Sequence, residues 1–301
     1  MPVKRTLVTG AAGFTGRYLG TILEAQGHDV HGLVQAHDGA RIPGYSQLHK
    51  ADLTEPSELY SAVAAVRPDH VIHLAAISNV AHDDIEQIYR VNLLGTRHLL
   101  DVIERLPTKP SSILLASSAN VYGNGREGVL DEETLPAPAN DYGVSKLAME
   151  GLASVYRSSL PIVITRPFNY TGRGQSSHFL IPKIIEHVRR QAPVIELGNL
   201  DVARDFSDVR MVADAYVRLI GTPGAIGQTF NVCSGRAVTL REVVELAVTL
   251  SGHPIDIRVN PAFVRSHEVR SLHGSRAKLE TVLGTLRTIP LEETIRWMLE
   301  G

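Results

Sequence analysis

Short apolar runs alternate with amphipathic ones through the first half of the chain. Val3 to Thr9 reads as a buried strand and Gly10 to Gly16 as a tight glycine turn. Arg17 to Gln26 has the spacing of an amphipathic helix, and Val30 to Val34 is apolar again. The alternation repeats with a third strand before Asp52-Leu53, a helix from Glu55 to Val66, and a fourth strand from Asp69 to Ala76. A long helix from about His82 to Glu104 and the apolar strand Ser112 to Ser118 follow. Strands apolar on both faces, each followed by a helix, predict an α/β fold: a doubly wound parallel sheet of Rossmann type. After residue 170 the alternation weakens, and Pro290 to Met298 reads as a terminal amphipathic helix entered after a proline, with Trp297 in the core.

The glycines give the first half a task. Gly10 permits a sharp turn out of the strand, Gly13 lets backbone N–H groups approach a pyrophosphate, and Gly16 lets the helix pack closely on the sheet. Residues 1–170 are thus expected to be a dinucleotide-binding and catalytic domain, with returning segments near 204–232 and 270–285. The rest of 171–301 is expected to be a smaller, interleaved C-terminal substrate domain. At the end of the second strand, where an acidic residue commonly receives the adenosine ribose, the chain reads Gln35-Ala36-His37-Asp38, with Arg41 beyond. His37 or Arg41 could meet a 2'-phosphate, which favours NADP(H); Asp38 or Gln35 serving NAD(H) is the alternative. Asp52 could reach an adenine amino group, and the small residues ending the fourth strand let a cofactor lie against the backbone.

Composition narrows the classes. The 301 residues are 44% hydrophobic, with 30 Lys+Arg against 32 Asp+Glu, a formal charge of -2. No global field attracts nucleic acid or an anionic membrane, so phosphate binding must be local. The lone cysteine, Cys233, reads as a buried small residue. No stretch approaches bilayer-spanning length, the N-terminus leaves no room for a signal peptide, no metal site is read, and a cytoplasmic protein is expected.

Tyr142 and Lys146 lie four residues apart, one turn on a helix, where an ammonium favours the phenolate and brings proton transfer towards neutral pH. Taken with Thr9 to Gly16, His73-Leu74-Ala75-Ala76, and Ser118-Ala119-Asn120-Val121-Tyr122-Gly123, this pair resembles the extended short-chain dehydrogenase/reductase family, over nearly the whole chain. The resemblance implies a catalytic set of Ser118, Tyr142 and Lys146, with Ser118 rather than Ser117. It also implies cofactor contacts from Gly10, Gly13, Phe14, Thr15, Gly16, Leu53, Leu74, Ala75, Ala76, Asn92, Tyr142, Lys146 and Arg166. Members usually dimerise through two helices per subunit, here the helix near 82–104 and the one bearing Tyr142, so a homodimer is expected.

Dehydratases of the family place carboxylates just after the catalytic hydroxyl. Ala119 and Asn120 cannot supply acid or base, which disfavours dehydration and leaves a reductase or an epimerase. The segments Leu197 to Phe206, Asn231 to Gly235 and Asn260 to Arg270 resemble the GDP-sugar branch. Expected substrate contacts are Ser118, Asn169, Gln175, Lys183, Arg204, Arg265 and Glu268, the arginines clamping a diphosphate and Glu268 accepting from ribose hydroxyls. The resemblance thus implies reduction of a GDP-linked 4-keto-6-deoxyhexose to GDP-rhamnose or GDP-6-deoxy-talose. A 4-epimerase retaining NAD and a non-catalytic dinucleotide sensor are the rivals.

Overall fold

The apolar runs become the strands of a seven-stranded parallel sheet. The computed structural model describes residues 3–36, 39–80, 82–263 and 269–301. In chain order these give β1 (Arg5–Thr9), α1 (Phe14–Ala25), β2 (Asp29–Val34), β3 (Gln47–Lys50), α2 (Pro56–Val66) and β4 (His70–His73). Next come α3 (Ile85–Tyr89), a π-helical turn (Arg90–Gly95), α4 (Thr96–Glu104), β5 (Ser112–Ala116), β6 (Gly128–Leu130), α5 (Asp141–Tyr156), β7 (Ile162–Pro167) and β8 (Asn169–Thr171). The remainder is α6 (Leu180–Arg189), β9 (Val194–Leu197), β10 (Ala203–Asp208), α7 (Val209–Ile220), β11 (Thr229–Val232), β12 (Ala237–Thr239), α8 (Leu240–Ser251), β13 (Asp256–Val259), β14 (Ser271–Gly274), α9 (Ala277–Leu283) and α10 (Leu291–Leu299).

The large sheet runs β3-β2-β1-β4-β5-β7-β11. Its order reverses between β1 and β4, so a crevice opens beyond the carboxyl ends of the strands. One face is sealed by Leu19 and Leu23 of α1, Val212 and Tyr216 of α7, and Leu279 of α9. The other is sealed by Leu59, Val63, Leu99, Ile103, Met149 and Ala153 from α2, α4 and α5. A second sheet, β12-β10-β14-β6 with β8 joined to β10, stands over the same end, and α6, α8 and α10 pack a further core beside it. Both β10 and β14 belong to this second sheet. The chain therefore rejoins the large sheet at α7 rather than at residue 204, and again at α9 rather than at residue 270.

Two elements differ from the sequence reading. Helix α1 begins at Phe14, directly after Gly13, instead of at Arg17. The helix expected over 82–104 is interrupted by a π turn. Widening the helix there brings Asn92 inward, where its Oδ1 accepts from the Ile77 amide at 2.8 Å and its Nδ2 donates to Ser145 Oγ at 3.1 Å.

Candidate active site

The turn from β1 into α1 forms the floor of the crevice. Gly10 has φ +71, a conformation that L side chains rarely adopt, and a Cβ there would press on the Ala75 amide at 3.0 Å. A Cβ on Gly16 would run into the carbonyl oxygens of Gly10 and Ala11. Gly13 caps α1 without any side-chain hydrogen bond and is exposed, so the first amides of the helix face the crevice with the positive end of its dipole. This cradle fits a dinucleotide pyrophosphate. Thr15 and Phe14 are tied to β8: Thr15 Oγ1 lies 2.9 Å from Tyr170 Oη, and the Phe14 ring stacks on that of Tyr170 at 13°.

At the adenosine end, Gln35 Nε2 donates to Asp52 Oδ2 at 2.7 Å, so these two expected contacts also bind each other. Hydrogen bonds from the Thr54 amide and hydroxyl hold the Asp52 carboxyl below its ordinary range. Arg41 is exposed in the connection to β3, Leu53 is buried, and Leu74, Ala75 and Ala76 are half-buried beyond β4. His37 lies outside the described residues.

The chain brings Ser118, Tyr142 and Lys146 together at the end of β5. Asn140 caps α5 by accepting from the Gly143 amide at 2.8 Å, which fixes the helix start and turns Tyr142 and Lys146 inward. Tyr142 and Ser118 are both buried, and Ser118 Oγ accepts from the Asn120 amide at 3.1 Å and from Asn120 Nδ2 at 3.0 Å. Lys146 Nζ donates to the Ala116 carbonyl at 2.7 Å and sits 6.0 Å from the centroid of the Tyr142 ring. Burial pulls the Lys146 ammonium down to about 8, against the opposing pull of Glu150. Burial also pushes the Tyr142 phenol above its ordinary value, reinforced by Tyr170 and opposed by Ser118. Contrary to the expected lowering by the lysine, loss of solvent sets the direction of the tyrosine's shift.

Behind these groups lies a buried polar layer. Ser117 turns away and donates to Glu150 Oε1 at 2.5 Å. Arg166 was expected to contact cofactor, but its guanidinium forks onto Glu150, with Nε to Oε1 at 2.9 Å and Nη2 to Oε2 at 2.6 Å, while Nη1 donates to Tyr122 Oη at 3.0 Å. It is buried among these partners. Asn92 is engaged likewise: Ile77 and Ser145 hold its amide. Glu150 stands one turn beyond Lys146 on α5, a spacing that could have flagged it; Tyr170 carried no sequence signal.

On the side of the second sheet, Asn169 Nδ2 donates to the Asp205 carbonyl at 3.1 Å and Gln175 Nε2 to the Tyr170 carbonyl at 3.1 Å. Arg204 Nη1 donates to the carbonyls of Ala203 and Val269 at 2.9 and 3.0 Å. Lys183 Nζ donates to the Glu196 carbonyl at 2.8 Å and lies over the Phe263 ring at 4.7 Å. Arg265 and Glu268 lie outside the described residues.

The sequence matches the GDP-mannose 4,6-dehydratase family model over residues 7–298. The chain belongs to that family. It is 34% identical to GDP-6-deoxy-D-talose 4-dehydrogenase of Aggregatibacter actinomycetemcomitans, over 93% of this chain and 91% of the relative. It is 35% identical to GDP-6-deoxy-D-mannose reductase of Pseudomonas aeruginosa, over 98% of this chain and 96% of the relative. Among solved structures, a Burkholderia cenocepacia J2315 protein provisionally described as an epimerase has 51% identity, a TM-score of 0.92, and coverage of 99% and 98%. RMD from Pseudomonas aeruginosa, solved with NADPH, has 34% identity, a TM-score of 0.85, and coverage of 99% and 98%.

Within the GDP-mannose 4,6-dehydratase family the turn after β5 bears on the reaction. Here Ala119 to Tyr122 form a 3-10 turn capped by Ser118, and the residues following the serine carry no carboxylate. Glu150, the acid one turn beyond Lys146, is held by Arg166 and Ser117. The family name therefore does not fix the reaction of this member.

Proposed function

We propose that this chain is an oxidoreductase that reduces the C4 ketone of a GDP-4-keto-6-deoxyhexose, giving GDP-rhamnose or GDP-6-deoxy-talose. The observation that carries this reading is a buried Ser118, Tyr142 and Lys146 set on a turn with no carboxylate at 119 or 120. The two relatives named for GDP-6-deoxyhexose chemistry, at 34% and 35% identity, support it. NADPH is the preferred reductant, supported by exposed Arg41 and by the NADPH-bound relative, with NADH the alternative.

The reacting groups divide the work. A bound nicotinamide supplies the hydride. Tyr142 gives its phenolic proton to the C4 oxygen as that oxygen gains charge, and Ser118 holds the same oxygen by hydrogen bond. Lys146, with an acidity near neutral, returns the phenolate to the phenol. Asn169, Gln175, Lys183, Arg204, Arg265 and Glu268 are assigned to the sugar nucleotide, on the smaller C-terminal part of the chain. The enzyme is read as a cytoplasmic homodimer pairing α4 and its π turn with α5, where Leu94, Val144 and Val155 are exposed apolar side chains.

A 4-epimerase is the second reading, favoured by the description of the Burkholderia cenocepacia structure at 51% identity. Incubation with NADPH or NADH and a panel of nucleotide-linked 4-keto-6-deoxy sugars decides between them. Stoichiometric loss of reduced cofactor is expected; epimerised product with no net loss would replace the reductase by the epimerase.

A further inference from the structure

We propose that Tyr45 is a positioning residue for cofactor selectivity: with Gly20 it docks residues 41–46 onto α1 and so holds Arg41 in place for the 2'-phosphate that distinguishes NADPH from NADH. The inference rests on how closely the connection between β2 and β3 is fitted to the helix that opens at the glycine turn. Tyr45 is buried, its ring in a slot between α1 and β2 walled by two glycines. A Cβ on Gly20 would run into Tyr45 Cε2, and one on Gly32 would lie 3.0 Å from Tyr45 Cδ1. At the end of the slot the Tyr45 hydroxyl donates to the Gly16 carbonyl at 2.6 Å.

The backbone closes just as tightly. Gly44 has φ +83, and a Cβ there would run into the carbonyl carbon of Gly20, so the two backbones leave no room for a side chain. Gly16 and Gly20 stand four residues apart on one face of α1, which is why a single segment covers both. Ile42 is buried in the same core as Leu19 and Leu23. Ser46 fastens the far end, its amide donating to the Val30 carbonyl at 2.8 Å and its hydroxyl to Asp29 Oδ1 at 2.5 Å. Arg41 is exposed directly ahead of Ile42. A guanidinium on an undocked loop must be ordered when phosphate binds; on a docked loop that entropy is lost on folding instead, and the gain goes only to the cofactor that carries the phosphate. This role rests on the reading of Arg41 as the group that favours NADPH.

Gly20→Ala is the informative change. Alanine suits a helix better than glycine, so α1 is kept while the added methyl meets the Tyr45 ring and the Pro43 carbonyl and lifts the segment. Dissociation constants for NADPH and NADH are measured on the full chain without sugar nucleotide, and their ratio is the readout. The two cofactors differ only in the 2'-phosphate, so a general distortion of the glycine turn weakens both and leaves the ratio alone. NADPH affinity is expected to fall about ten- to a hundredfold, the usual worth of a hydrogen bond to a charged group, while NADH affinity holds. Arg41→Ala should give the same loss, and the double variant should lose no more than Arg41→Ala alone. Tyr45→Phe keeps the ring and removes only the bond to Gly16, so its ratio should move in the same direction by less; it carries the test if Gly20→Ala does not fold.

A preference for NADPH that survives both Gly20→Ala and Tyr45→Phe removes the proposal and leaves the cofactor reading standing. Parallel loss of both cofactors also overturns it, as does a loss in Gly20→Ala that adds in full to that of Arg41→Ala. A wild type that binds NADH as tightly as NADPH removes the cofactor reading and this proposal with it.

Discussion

Arg166 and Glu150 form a forked, buried ion pair, Nη2 to Oε2 at 2.6 Å, directly behind Lys146 on α5. Removing one partner leaves a charge without solvent or counter-ion. Arg166→Met should lower unfolding free energy by about 3–5 kcal/mol, read from chemical denaturation. Dinucleotide affinity of the remaining folded protein should not change; a selective loss of affinity with native stability would return Arg166 to the cofactor site.

Tyr142→Phe removes the proton donor and keeps the ring. Turnover should fall by roughly 10²- to 10⁴-fold while the thermal shift produced by NADPH persists. Near-native turnover would end the assignment of Tyr142 as the acid.

His73 bridges two hydroxyls, Thr9 Oγ1 at 2.7 Å and Thr96 Oγ1 at 2.9 Å, and burial, aided by the Lys146 charge, pulls its imidazole down to about 3. The unfolded chain takes up a proton on this histidine below pH ~6.5 that the folded chain does not. Its contribution is therefore complete above that value and declines on acidification towards pH 3, by up to ~1.4 kcal/mol per pH unit. Denaturation at several pH values should show a shallower acid slope for His73→Gln than for the wild type; parallel slopes would exclude this source.

GDP should raise the melting temperature more than UDP or dTDP at equal concentration, since a ligand stabilises only the state that binds it. Equal shifts would remove guanine from the substrate assignment.

Trp297 is half-buried between two guanidinium groups, Arg210 at 4.0 Å and Arg173 at 5.0 Å from its ring, and meets the edge of Tyr18 on α1. Tyr18 in turn packs on Phe14, beside the glycine turn. Trp297→Ala should cost about 2–4 kcal/mol, towards the lower end for a buried aromatic, and should weaken NADPH binding because α10 no longer braces α1. Thermal melts with and without NADPH measure both effects.

Local spacing alone was enough for the parallel α/β sheet, because strands buried on both faces must be continuously apolar and the glycines at 10, 13 and 16 have a steric role within seven residues. Tyr142 and Lys146 were legible for the same reason: four residues on a helix make one face. The partners chosen across the sheet were not. Arg166 could as well have faced a cofactor until Glu150 and Tyr122 met it, Asn92 needed a π turn to reach Ile77, and Trp297, read as core, does pack against the core of α6, α8 and α10 but also meets two cations. Periodicity fixes which side of an element is apolar, whereas the partner of a polar group depends on contacts distant in the chain. Asn120 shows both limits: its lack of a titrating group was visible in the sequence, and its hold on the Ser118 hydroxyl existed only once the turn after β5 had closed.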